Sequence, residues 1–364
     1  MNFNDLPQKM RKKILILGVI AMAVSQASVN ATSSVSVASL PQGMVVISTG
    51  AVGSTNYISL PLSSNAVYTG SVSSVGPNTI TVSNTPFTTN LANIGSPYFV
   101  KFLSGTEAGR TLLITSNTTN SLTVSTTDNS SQTVNLQTSN FSVSSGDSFE
   151  VVPGDTLASL FGTNTKGSPL ALTGGTSYAS ADWVNIYNPI TGSWQIYFFN
   201  TSLSYWTLEG SSGNANSTVL YPYSGLSITR HSPSEPFPYI VLTGRVPEVQ
   251  VMVKTTGSNA ITYVSTGYPV GMTLSQLDLG SNWTKGTSTA TADVVSVWNS
   301  STKTFVSYYQ LPTSAWCQAG SPTADKGSTV LPPGCCLALQ QHMTVSGATS
   351  YLTLSVPYAT SNNL

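Results

Sequence analysis

The sequence predicts an all-β chain of tandem small antiparallel sandwich or barrel domains, and three observations predict it. Short alternating runs such as "NTITVSN" (78–84), "WVNIYN" (183–188) and "YLTLSV" (351–356) recur along the chain. They are rich in Val, Ile, Thr and Tyr and bounded by Gly, Pro, Asn and Ser, the pattern of half-buried strands between turns. No long stretch carries the 3.6-residue period of an amphipathic helix. Finally, a stretch of roughly 100 residues matches another about 111 residues downstream, the mark of an internal repeat.

The composition suits a folded chain with a neutral surface. Of 364 residues, 40% are hydrophobic and only 7% charged, against a usual ~25% charged. The 16 Tyr, 11 Phe and 6 Trp supply material for cores, unlike the aromatic-poor composition of disordered chains. A surface of hydroxyls and amides sets up little repulsion between copies.

Taken in order, residues 1–31 read as a signal peptide. Lys9, Arg11, Lys12 and Lys13 precede an apolar run from Ile14 to Val24 and then small residues, the layout of an export signal and too short to span a bilayer. No second run of membrane length follows, and the short, irregular strands argue against an outer-membrane barrel. Cleavage removes four basic residues and Asp5, leaving nine basic against twelve acidic. That balance argues against a nucleic-acid partner, which needs clustered Lys and Arg. The predicted location is secreted, extracellular or at the cell surface, with the periplasm as the other compartment.

Residues 32–65 contain "GMVVIS" (43–48) and "YISLPL" (57–62), read as an N-terminal β-hairpin and a fragment of a further repeat copy. Residues 66–150 read as a Ser/Thr/Asn-rich β-meander, a small barrel or sandwich with Lys101, Glu107 and Arg110 around one turn. Two domains follow, 151–247 and 248–364. "SADWVNIYNPITGSWQIYFF" from Ser180 aligns with "TADVVSVWNSSTKTFVSYYQ" from Thr291. The offset places Asp182 on Asp293, Asn188 on Asn299, Trp194 on Phe305, Leu226 on Leu337 and His231 on His342. "DTLASLFG" (155–162) and "MTLSQLDLG" (272–280) are the only candidate helical turns, and each ends in Gly, a common helix stop.

The candidate chemistry is sparse. His231 and His342 occupy equivalent positions with no second His nearby, so duplication accounts for them better than a metal site, which needs three or four converging ligands. No cofactor is predicted. Asp182 and Asp293 precede a strand and read as turn carboxylates that accept backbone N–H groups. Asp147, Glu150 and Asp155 form the densest acidic cluster, a weak calcium or catalytic candidate. Trp183, Trp194, Trp206, Trp298 and Trp316 could stack on sugar rings, although their alternation and repetition suit a core better. Cys317, Cys335 and Cys336 occur only in the second copy, where the first has Thr207, Ser224 and Gly225. In an exported protein they predict a disulfide from Cys317 to one of the adjacent pair, on the expectation that the two segments lie on neighbouring strands.

The segments "FVKFLSGTEAGRTLLITSNTTNSLTV", "SGDSFEVVPGDTLASLFG", "ADWVNIYN" and "STVLYPYSGLSI" resemble an uncharacterised family of secreted, β-rich bacterial proteins, over most of the exported chain. The resemblance implies export and a shared fold and implies no reaction. Members of that family often carry a C-terminal sorting segment, which "YATSNNL" does not resemble. The expected function is a non-catalytic secreted or cell-surface structural or adhesive protein whose partner is itself, through strand edges. The alternative is a protein that binds an extracellular glycan within a polysaccharide-using system.

Overall fold

The computed structural model describes residues 41–358 except 90, 93–95, 129–132, 139–140, 232–238, 256–260, 281–282, 322–323 and 343–349. The signal-peptide expectation for 1–31 lies outside these residues. Strands dominate, and the named pairs are all antiparallel. Among the described residues no helix is long and apolar enough to cross a membrane.

Two five-stranded sheets form the centre. The first runs Tyr205–Leu208, Ser193–Asn200, Trp183–Asn188, Gly225–Thr229, Thr55–Ser59. The second runs Trp316–Gln318, Thr304–Gln310, Val294–Asn299, Cys336–Gln340, Ile261–Ser265 in the same spatial order. Their registers also correspond: Val184 faces Ile228 and Tyr197, while Val295 faces Leu339 and Tyr308. The tight connections use one chemistry. Asn188 Oδ1 accepts from the N–H groups of Ile190 and Thr191, and Asn299 Oδ1 from those of Ser301 and Thr302. An Asn side chain bonding its own backbone two residues on specifies such a turn.

A ribbon accompanies each sheet. Gln42–Ser48 pairs with Tyr239–Arg245 beside the first, and Val251–Thr255 pairs with Ser350–Leu354 beside the second. The hairpin expected within 32–65 therefore does not form. Its two strands separate, one into the ribbon and the other against Gly225–Thr229 as the edge strand of the first sheet. They stand where Val251–Thr255 and Ile261–Ser265 stand in the second assembly. Alternation, a property of any half-buried strand, could not say which partner each would take.

Between Thr55–Ser59 and the strand at Asp155 the chain makes a seven-stranded half-barrel. Its order is Tyr68–Ser71, Ser148–Pro153, Tyr98–Phe102, Thr111–Asn117, Ser121–Val124, Thr79–Thr81, Ser74–Val75. The two edge strands are separated by only Val72 and Ser73, so the sheet curls round to bring its ends together. Ile80, Val100, Phe102, Leu122 and Phe149 fill its interior. Arg110 sits buried in the turn foreseen there, 3.0 Å from Glu107, 3.2 Å from Asp128 and stacked over Phe141. The half-barrel is tied to the rest by polar contacts. Glu150 meets Arg245 of the first ribbon, Lys101 Nζ donates to Tyr223 Oη at 3.0 Å, and Met252 N donates to the Gly109 carbonyl.

Both predicted helical turns exist. Leu157–Phe161 is a short α-helix closed by a Thr156/Ser159 capping box, and Leu274–Gln276 is a 3-10 turn closed by Thr273 and Gln276. Gly162 ends the helix at φ +85°, and any Cβ there would strike the Pro169 carbonyl.

The expected disulfide is absent: Cys317, Cys335 and Cys336 are buried thiols. Cys317 lies on Trp316–Gln318 and Cys336 on Cys336–Gln340, with two strands between them. Three strand spacings of about 4.8 Å separate them by roughly 14 Å, about twice the Cα distance a disulfide can bridge. The aligned residues Trp206 and Leu226 are separated by two strands in the same way. Closeness along the aligned sequences did not mean adjacency in the sheet.

Candidate functional site

Two places gather unusual side chains. The first is the pair of buried aspartates. Asp182 Oδ1 accepts from His231 N at 2.7 Å and Oδ2 from Thr173 N at 2.9 Å. Asp293 Oδ1 accepts from His342 N at 2.6 Å and Oδ2 from Thr284 N at 2.8 Å. The aligned histidines thus meet the aspartates through their backbone, not their rings. The sequence reading of these carboxylates as acceptors of backbone N–H groups describes this geometry, but it missed their third partner. Arg230 Nε lies 2.9 Å from Asp182 Oδ2, and Arg230 Nη1 donates to Thr49 Oγ1. Gln341 holds the corresponding place near Asp293, accepting from Thr255 Oγ1 and leaving its Nε2 without a partner. Burial pushes the Asp293 carboxyl up, with hydrogen bonds from Thr284 and His342 opposing it. These are structural anchors, closed to solvent at 0% exposure of both aspartates.

The second place is the seam between the two five-stranded sheets. Their edge strands meet there: Ile58 bridges Cys335, Ser224 bridges Val264, and Ser59 Oγ donates to Ser265 Oγ at 2.9 Å. Aromatic side chains stand along the seam. Tyr57 contacts Trp194, Tyr263, Trp298 and Phe305 with ring centroids 4.7–6.1 Å apart. Tyr187 packs edge-on against Trp194 and Tyr263. Offset and edge-to-face contacts of this kind add to the area they bury. Beside them opens a pocket of about 70 Å³ lined by Tyr187, Tyr221, Ser224, Gly225, Thr262 and Tyr263 over an aliphatic floor. That volume is several times what one water needs. No charged side chain lines it. Burial raises the phenols of Tyr221 and Tyr263, so both stay protonated and can donate.

The predicted sugar-stacking residues divide among three environments. Trp206 and Trp316, at 0% and 1% exposure, are core residues, and their faces are covered. Trp206 Nε1 donates to the Gly162 carbonyl, and the ring packs on Phe161 and Phe199. Trp194 and Trp298 belong to the seam, where Trp298 Nε1 donates to Asn56 Oδ1. Trp183 is half-buried, its ring tilted by 40° against the His231 ring with centroids 4.1 Å apart. The acidic cluster disperses. Asp147 caps Ser144 N in a turn, Glu150 pairs with Arg245, and Asp155 accepts from Ser159 Oγ. Among the described residues no three His, Cys, Asp or Glu side chains come together as metal ligands. Pocket residues such as Tyr221 and Thr262 escaped sequence reasoning because four separate strands and loops supply them, and no local spacing marks them.

No family model, curated protein or solved structure matches the chain.

Proposed function

We propose that this is a non-catalytic structural protein of the cell surface or extracellular space, built from two diverged copies of one β-domain with the half-barrel inserted in the first. The matching strand orders and the paired aspartate sites support the duplication. Self-association through the first ribbon is the structural role, and one observation carries it. Met44, Val46, Tyr239 and Val241 all point outward from the ribbon and are 54–66% exposed. Val46 faces Val241 directly across the strand pair. Val45, Ile47, Ile240 and Leu242 form the opposite, buried face. The ribbon's one charge, Arg245, is at its end and already paired with Glu150 and Glu248. Edge strands are ordinarily protected by charge, Pro, a bulge or a covering element. The second ribbon has such a cover in the half-barrel turn at Gly109.

Substituting Val46→Lys and Val241→Lys together places two charges on the exposed face without touching the core. Sedimentation over a concentration series is expected to show association of the parent chain and its loss in the double variant. A parent chain that stays monomeric throughout would remove the basis for this role.

A further inference from the structure

We infer that the seam pocket is a binding site for a neutral sugar ring, such as the terminal unit of an uncharged polysaccharide. This role is separate from ribbon assembly and does not rest on it.

The molecule contains its own reference for the pocket. The counterparts of Tyr187, Thr262 and Tyr221 are Trp298, Asn56 and Pro332. At that counterpart place the seam is filled. The Trp298 ring is buried, held by its 2.5 Å hydrogen bond to Asn56 Oδ1, and packed 4.7 Å from Tyr57 and 5.1 Å from Phe305. Asn56 is fixed in turn by the Ser48 carbonyl, to which its Nδ2 donates. On the open side a smaller ring, Tyr187, replaces the indole, and Thr262 is too short to make the Asn56 bond. The same backbone frame therefore carries a filled half and an open half, and the difference is a handful of side chains.

The chemistry of the open half narrows the ligand. Aromatic and aliphatic side chains supply the walls, and Tyr221, Ser224, Thr262 and Tyr263 bring hydroxyls to the lining, that of Tyr263 already accepting from Trp194. At about 70 Å³ the pocket admits the edge of a ring rather than enclosing a whole ligand, and its lining is mostly apolar with a few polar groups. The absence of a lining charge disfavours anions and cations, which would be desolvated without compensation. A ring with one apolar face and peripheral hydroxyls satisfies both kinds of wall. Trp194 sits 4.6 Å from Tyr263 and should report occupancy by fluorescence.

The test is a titration with methyl glycosides of neutral hexoses, followed by tryptophan fluorescence and by NMR shifts. Glucuronate and p-cresol serve as comparators. The expected result is binding of at least one neutral glycoside at about millimolar dissociation constant, with glucuronate weaker by at least about tenfold. The pair Tyr187→Trp with Thr262→Asn transplants the filled arrangement and should abolish binding with the melting temperature nearly unchanged. Should that pair fold poorly, Tyr221→Phe and Ser224→Ala remove single hydroxyls and should each weaken the same glycoside. The Val46→Lys, Val241→Lys variant should bind as the parent does, whether or not the parent assembles. Absence of binding by every neutral glycoside, equal binding of p-cresol, or binding that survives both sets of pocket variants would overturn the assignment.

Discussion

Asp182 and Asp293 sit at corresponding corners of two sheets, take the same two backbone hydrogen bonds, and differ in what lies beyond them. Arg230 neutralises the first, while Gln341 stands at the second and the buried Asp293 carboxyl is pushed up. The backbone frame is thus held by the carboxylate acceptor alone, since both corners have it. The cation is an addition that one corner carries and the other does without. A buried charge pair is weak evidence for stability as such, because desolvation offsets attraction, but removing one partner is costly. The two corners allow those statements to be separated within one molecule.

Making the first corner like the second is the largest expected effect. Arg230→Gln removes the cation 2.9 Å from the buried Asp182 carboxylate, which keeps its two backbone donors, and removes the bond to Thr49. Breaking a buried pair in this way costs about 3–5 kcal/mol. The lower end is expected, because Gln341 shows that an amide fits this frame. Urea unfolding at neutral pH measures it. A variant as stable as the parent would mean that the Arg230 pair contributes nothing net.

The seam offers a second contrast. Ser224 and Gly225 in the first assembly align with Cys335 and Cys336 in the second. A Cβ on Gly225 would collide with Cys336 Sγ, so only one side of this contact can carry a side chain. Burial pushes the Cys335 thiol up to about 12 and that of Cys336 well above its ordinary value. Since the thiolate is the reacting form, Cys335 should alkylate near pH 8 about a thousandfold more slowly than an ordinary thiol, before any further slowing by burial. Mass spectrometry after denaturing alkylation should find three modified thiols and no linked peptide. A linked Cys317 peptide would contradict the strand order.

How much of this was legible beforehand depended on what kind of relation each feature is. Alternation disclosed strands, because a half-buried strand must alternate. The self-match disclosed Asp182 and Asp293 as a pair. Pairing partners were not legible. Gln42–Ser48 and Thr55–Ser59 join residues far along the chain because the half-barrel intervenes, and nothing local to "GMVVIS" records that. The disulfide expectation failed for the same reason, with nearness in an alignment taken for nearness across a sheet. The Arg230–Gln341 difference was readable in the alignment but had no meaning until Asp182 was known to be buried. The pocket was not readable, since its walls are side chains brought together only when two sheets meet.

The smallest expected effect comes from making the second corner like the first. In the folded chain Asp293 holds its proton more tightly than in the unfolded chain, because burial disfavours its charged form. Between the ordinary aspartate range, near 4, and the raised value, the folded state binds more protons than the unfolded one. Stability from this group therefore falls as pH rises through that window, and the cost is fully present above it. Gln341→Arg supplies a cation where Thr255, the counterpart of Thr49, already offers an acceptor. It should stabilise the chain by about 1 kcal/mol at pH 7, since the gain of pairing is offset by burying a guanidinium. Below the ordinary aspartate range the parent's Asp293 is protonated and carries no cost, while the variant must bury an arginine beside a neutral acid. The advantage should then vanish or reverse. Urea unfolding of parent and variant at pH 7 and at about pH 3, below the ordinary aspartate range, gives the comparison directly. A variant equally destabilised at both would show that the second corner has no room for the longer side chain, and that Gln341 is there for its size.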